Sequence, residues 1–188
     1  MQWLADREIL FSGGWTQVLH ITSDTNDVNK LKQIEKVSTL TGFNASGNYG
    51  MKTAALADLR KITRFQQLRF RCKTQIHDPR LLNIKTLLNA LGTAVVESFC
   101  SATSDYPASC GSYQVYGDDN SNLGQDCSAW KDGKWHPLDN NEKLFSHPMW
   151  ADSRTNWNLL TKDKRFECDD PQISAIIRNG DFWEVYAR

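Results

Sequence analysis

Apolar and polar positions alternate over residues 14–21, GWTQVLHI, in a run rich in β-formers, which predicts a strand. Residues 22–50 are dominated by Thr, Ser, Asp, Asn and Gly, apart from a short charged and apolar piece at 28–37. They predict a long surface segment with room for one helical turn. Over 51–62, MKTAALADLRKI, Ala55, Leu59 and Ile62 share one face of a strong helix former. Residues 66–73, QQLRFRCK, return to alternation, with Leu68, Phe70 and Cys72 on one side of a half-buried strand. Asp78-Pro79 then reads as an N-cap with an N1 proline, and Ile84, Leu87, Leu88 and Leu91 keep helical spacing up to Gly92. Residues 93–99, TAVVESF, read as a strand. Beyond Cys100 the chain is punctuated by Pro107, Gly111, Gly117, Gly124, Gly133 and Pro137, and it closes on an alternating strand, FWEVY at 182–186, led by Asn179-Gly180. The pattern defines one α+β domain over 1–188, with a well-formed N-terminal half and a long loop-rich C-terminal half.

Charge narrows the partners. The 22 basic and 22 acidic side chains cancel, which argues against nucleic acid and anionic membranes. The densest basic stretch, Arg60, Lys61, Arg64, Arg69, Arg71 and Lys73, lies half on a predicted strand and reads as a solvated face. No apolar run approaches a membrane span. Cys72, Cys100, Cys110, Cys127 and Cys168 include no C-x-x-C pair, so a zinc ribbon or thioredoxin motif is not available. Two disulfides and one odd thiol in an oxidising compartment account for them better. Asn44-Ala45-Ser46 is a glycosylation sequon and agrees with secretion as a glycoprotein. The opening MQWLADREIL lacks a basic-then-apolar leader, so secretion implies a leader already removed or a longer parent chain.

Gly13-Gly14-Trp15-Thr16 leading into a strand resembles the G-G-W-T start of fibrinogen-related and intelectin-like domains. The helix-then-strand block ending LRFRC at 68–72 is similar to the block that follows in marine-invertebrate members, those of coral skeletal organic matrix proteins above all. CGSYQVYGDDNS at 110–121, a cysteine before a G-x-W stretch at 127–135, Cys168-Asp169-Asp170 and the closing GDFWEVYAR at 180–188 recur in that order. The resemblance covers most of the chain. It implies a fibrinogen-like domain with a small mixed sheet and one or two helices, and it makes 80–92 a strand and a turn where spacing prefers a helix. Two departures stand out: the cysteine that usually precedes G-G-W-T is missing, and Cys100 is an addition. With Cys100 as the odd thiol three pairings remain open; Cys110–Cys127 with Cys72–Cys168 is preferred, and Cys100–Cys110 is the rival.

Candidate chemistry gathers in 110–157. Asp118, Asn120, Asn122 and Asp126, with Asp119 beside them, place oxygen donors at positions one, three, five and nine, the alternation of a calcium loop. Gly124 at seven and Ala129 at twelve exclude an EF-hand, and a polar turn bonded to its own backbone explains the same residues. Calcium is the one candidate cofactor, and fibrinogen-related domains carry calcium near their ligand site. Tyr113, Tyr116, Trp130, Trp135 and Trp157 offer faces on which a sugar can stack, although each ring singly is better read as core. No G-x-S-x-G, H-E-x-x-H or P-loop occurs, so a triad would have to assemble in space from Ser146 or Cys100 and a distant histidine. Asp169-Asp170 reads as paired acid–base carboxylates or, more commonly, as a turn cap or arginine partner. The expectation is a secreted, non-enzymatic, lectin-like binder of an extracellular glycan, an acidic glycoconjugate or a glycoprotein. A structural or biomineral matrix protein is the first alternative and a hydrolytic enzyme the second. Nothing in the sequence specifies an oligomeric state.

Overall fold

A computed structural model describes residues 14–22, 31–40, 47–74, 79–137, 141–151, 155–160, 165–170 and 180–188. In chain order these hold β1 (Thr16–Thr22), β2 (Lys32–Ile34), β3 (Tyr49–Met51), α1 (Thr53–Thr63), β4 (Leu68–Thr74), β5 (Arg80–Thr86) and α2 (Ala90–Phe99). They continue with β6 (Tyr113–Val115), α3 (Asn122–Gln125), β7 (Ser146–Ala151), β8 (Thr155–Leu160), β9 (Arg165–Asp170) and β10 (Phe182–Ala187). One mixed sheet of seven strands runs β2-β3-β1-β10-β4-β5-β6, and a second runs β7-β8-β9. Every pairing in the large sheet is antiparallel except β2 with β3. The α+β architecture therefore stands, with a larger sheet and a more ordered C-terminal half than the turn signals imply.

The centre of the sheet follows from strict alternation. β4 buries Leu68, Phe70, Cys72 and Thr74 and leaves Arg69, Arg71 and Lys73 half-exposed. Its partner β10 buries Trp183, Val185 and Ala187 and turns Phe182, Glu184 and Tyr186 outward. Phe70 meets Phe99 of α2 at 5.2 Å and Trp135 at 5.1 Å between ring centroids, so the helix and the tryptophan-bearing loop cover the apolar side. Phe166 packs on Trp183 at 5.5 Å, which brings the small sheet into the same core. The disulfide Cys72–Cys168 bolts β4 to β9 inside that core, Cys110–Cys127 closes a loop that carries β6 and α3, and Cys100 is free.

One open choice is settled and three expectations need correction. Residues 80–86 form a strand followed by a turn, not the helix that Ile84, Leu87, Leu88 and Leu91 suggest. Strands pair with β5 on both edges, and Leu82 and Ile84 alternate into the core. Residues 93–99 are helix, not strand. Asn89 caps α2 by accepting from the Gly92 N–H at 2.8 Å, and Val95, Val96 and Phe99 then fall on one helical face. α1 buries Ala55, Leu56 and Leu59 but leaves Ile62 62% exposed, because its last turn runs past the core before Arg64 ends it in the left-handed region at φ 58°. The segment 22–50 contributes two short strands, β2 and β3, besides the helical turn at Val37–Leu40.

Candidate ligand-binding face

The acidic turn after β6 turns its oxygen atoms toward β5. Because β6 pairs only with residues 84–86, the Leu81 and Asn83 N–H groups of β5 lie beyond its reach. Asn120 Oδ1 accepts from the Leu81 N–H at 2.6 Å, and Asp119 Oδ2 accepts from the Asn83 N–H at 2.7 Å. Asp118 Oδ1 takes the Asn83 side-chain amide at 2.6 Å. Asp119 also accepts from the Ser121 N–H and hydroxyl at 3.0 and 2.9 Å. Burial pushes the Asp119 carboxyl above its usual range, and these donors offset only part of that. A Cβ added to Gly124 would stand 2.6 Å from the same carboxylate, so the glycine is needed for the approach. Asp126 accepts from the Ser128 N–H and hydroxyl at 3.0 and 2.5 Å. Asp118, Asn120 and Asp126 thus serve as strand-edge and turn partners, and Asn122 enters through its backbone N–H. Among the described residues no group of three or more His, Cys, Asp or Glu side chains could hold a metal ion.

Two of the proposed sugar platforms are core residues. Trp130 and Trp135 are 2% and 0% exposed, and their indole N–H groups donate to Leu123 O and Ser112 Oγ, both at 2.9 Å. With no free ring face, neither can stack on a sugar. Tyr113 is half-buried, stacked on Trp130 at 5.2 Å, with its hydroxyl against the Leu123 and Gly124 carbonyls. Tyr116, also half-buried, lies under the Arg69 guanidinium at 4.1 Å and the Lys85 ammonium at 5.4 Å. Trp157 sits in β8 opposite Met149 and Cys168; its side chain, that of Ser146 and all of Asn44 lie outside the described residues. Burial pushes the Cys100 thiol up to about 12, which leaves little thiolate at neutral pH.

Asp169 has a structural task. β8 and β9 shift register between Asn156 and Trp157, opposite Asp170 and Cys168, so Asp169 is the extra residue of a bulge, at φ 56°. Its buried carboxylate accepts from the Asn122 and Leu123 N–H groups at 2.8 and 2.9 Å and pairs with Arg80 at 3.0 Å. Asp169→Ala would orphan two amides and remove the ion pair with Arg80, and is expected to cost about 3 kcal/mol. Asp169→Asn keeps an acceptor and tolerates the backbone angle, so it should cost clearly less. Urea midpoints of the two variants check this; equal and small losses would remove the capping role.

The face that sequence reasoning missed is the outer side of the large sheet. Glu184 accepts from Arg71 Nη1 at 2.8 Å and from Gln17 Nε2 at 3.3 Å, with His20 Nδ1 at 3.5 Å. Burial alone would raise the Glu184 carboxyl; hydrogen bonding from His20 and the Arg71 charge more than offset it and hold the group below its usual range. Tyr49 donates to Gln17 Oε1 at 2.7 Å, and burial pushes its phenol far above the ordinary value. Beside this network, where β4, β5 and β10 end together, an open groove of about 570 Å³ is lined by Arg64, Gln66, Lys85, Leu88, Gln114 and Arg188, with Gln67 and Leu87. Its floor is fixed by backbone: Gln66 and Gln67 N–H donate to Arg188 O at 2.7 and 2.9 Å, and Gln67 Nε2 donates to Thr86 O at 2.6 Å. Lys85 stands opposite Gln114 and Arg69 in register. The only advance signal was the cationic stretch around Arg64 and Arg69, which reads as plain solvation.

No protein-family model, no curated protein and no solved structure matches the chain. Among the described residues no helix is long and apolar enough to cross a membrane, and two disulfides are compatible with an extracellular protein.

Proposed function

We propose that the chain is a secreted, non-enzymatic recognition domain of the fibrinogen-related type that binds an extracellular glycan in the groove at the end of its large sheet. The observation that carries this reading is the groove's lining. Carboxamides of Gln66 and Gln114 each offer a planar donor and acceptor for sugar hydroxyls, and Leu88, 68% exposed, offers an apolar wall for a ring's C–H face. A volume of about 570 Å³ falls within the usual range for small-ligand sites. The ordered motifs from Gly13 to Arg188 and the two disulfides support the family and compartment parts of the reading.

A glycan array probed with the purified chain tests it, run in calcium and again in chelator. Saturable binding to a defined set of glycans is expected. Binding should persist in chelator, because Asp118, Asn120 and Asp126 each already hold a protein donor on Oδ1, the last two aimed at different segments. If no glycan binds in either condition and the protein adsorbs to calcium carbonate, the reading gives way to a biomineral matrix role.

A further inference from the structure

We infer that the glycan carries an anionic group, a carboxylate or a sulfate, seated between Arg64, Lys85 and Arg188. This rests on the recognition reading of the same groove. The three cations line one open concavity that contains no acidic side chain, and among the described residues none of them takes part in an ion pair. Four cations outside the groove are matched: Arg71 to Glu184, Arg80 to Asp169, Lys52 to Glu35, Lys61 to Asp58. With 22 basic and 22 acidic side chains overall, a groove of three unmatched cations is a local excess on a neutral molecule. Nearby Arg69 adds to the field, since it is held by the neutral Asn83 Oδ1 at 2.9 Å and by the Tyr116 ring. Guanidinium groups at Arg64 and Arg188 suit the planar fork of a carboxylate or the oxygens of a sulfate. The groove's lining has no aromatic ring, so it lacks the stacking platform that single-stranded nucleic acids use. It does have the carboxamides that hydroxyl-rich ligands need.

Isothermal titration of the full chain tests this with three oligosaccharides of matched length: one neutral, one built of uronic acids and one sulfated. At low salt at least one acidic probe is expected to bind roughly ten-fold or more tightly than the neutral one, and its arm identifies the anionic group. That preference should collapse in 0.5 M salt, where the screening length falls to roughly 4–5 Å. Arg64→Gln with Lys85→Gln should abolish it. Lys61→Gln, an exposed charge on α1 outside the groove, should leave it intact. Thermal melting confirms that each variant is folded. Equal binding of neutral and acidic probes overturns the anionic inference and leaves the recognition reading standing; no binding of any saccharide overturns both. An acidic preference that survives in the double variant places the site elsewhere and overturns the inference. Equally tight, equally groove-dependent binding of a single-stranded oligothymidylate overturns the sugar class.

Discussion

Replacing Trp135 with alanine is expected to destabilise the domain by about 4 kcal/mol, a large fraction of the stability of any domain of this size. The ring is fully buried and meets Phe70 at 5.1 Å, Trp130 at 4.9 Å, and Phe99 and Tyr113 edge-on at 6.1 and 6.0 Å. Four aromatic neighbours from β4, α2, β6 and the loop itself cannot collapse together to refill the space. Deletion therefore removes the transfer free energy of an indole and leaves a cavity as well. A polar loss adds to it. The indole N–H donates to Ser112 Oγ, whose own proton goes to Ser109 O at 2.5 Å, while Ser109 Oγ donates to Cys127 O at 2.9 Å. Trp135→Phe keeps most of the volume but orphans the Ser112 acceptor, and about 2 kcal/mol is expected for it. Urea unfolding of the three proteins decides. A loss below about 1 kcal/mol for alanine, accompanied by loss of glycan binding, would mean that Trp135 is a stacking platform after all.

Parts of this architecture were legible in the chain because one physical signal dominated them. β4 and β10 alternate without interruption, and α1 combines helix-forming residues with an apolar stripe. Elsewhere two signals competed. In 80–91 the leucines satisfy helical and strand spacing alike, and the choice was made by pairing with β4 on one edge and with the short β6 on the other. In 93–99 the adjacent valines favour a strand by propensity, yet one capping asparagine starts a helix. β7 carries Pro148, which as a rule argues against a strand; it is tolerated because β7 is an edge of the small sheet.

The site divides the same way. Residue type announced that Asp118, Asp119 and Asn120 would present oxygens, but not that β6 is too short to cover Leu81 and Asn83 and that those oxygens would complete the strand edge. Cys168-Asp169-Asp170 was readable as a cap with an arginine partner, and Asp169 fills that role with Arg80. Of the groove only the cationic stretch at Arg64 was visible, and it reads as a solvated face. Arg64, Lys85 and Arg188 meet only because β10 inserts between β1 and β4, a pairing between the two ends of the described chain that no local pattern encodes.

That same long-range closure sets the second large effect. The Cys72–Cys168 bond spans 96 residues and Cys110–Cys127 spans 17. On the loop-entropy account the longer crosslink contributes about 4–5 kcal/mol and the shorter about 3 kcal/mol. Cys72→Ala with Cys168→Ala should therefore lower the urea midpoint more than Cys110→Ala with Cys127→Ala. Burial makes the kinetic order run the other way. Cys72 and Cys168 are both fully buried, whereas Cys110 is exposed and Cys127 half-buried, so thiols in solution can attack only the shorter bridge without unfolding the core. Under mild reductant at native conditions, Cys110 and Cys127 should become alkylatable first while the fold persists. Cys72 and Cys168 should follow only with global unfolding, and Cys100 should label slowly throughout, since burial keeps it a protonated thiol. Timed alkylation read by peptide mass mapping resolves the order. Simultaneous loss of both bridges, or early labelling at Cys72, would show that β9 is not clamped to β4 inside the core. The small sheet would then rely more heavily on its remaining contacts, Phe166 on Trp183 and the Asp169 caps among them, and the Asp169→Ala loss should grow accordingly in the reduced protein.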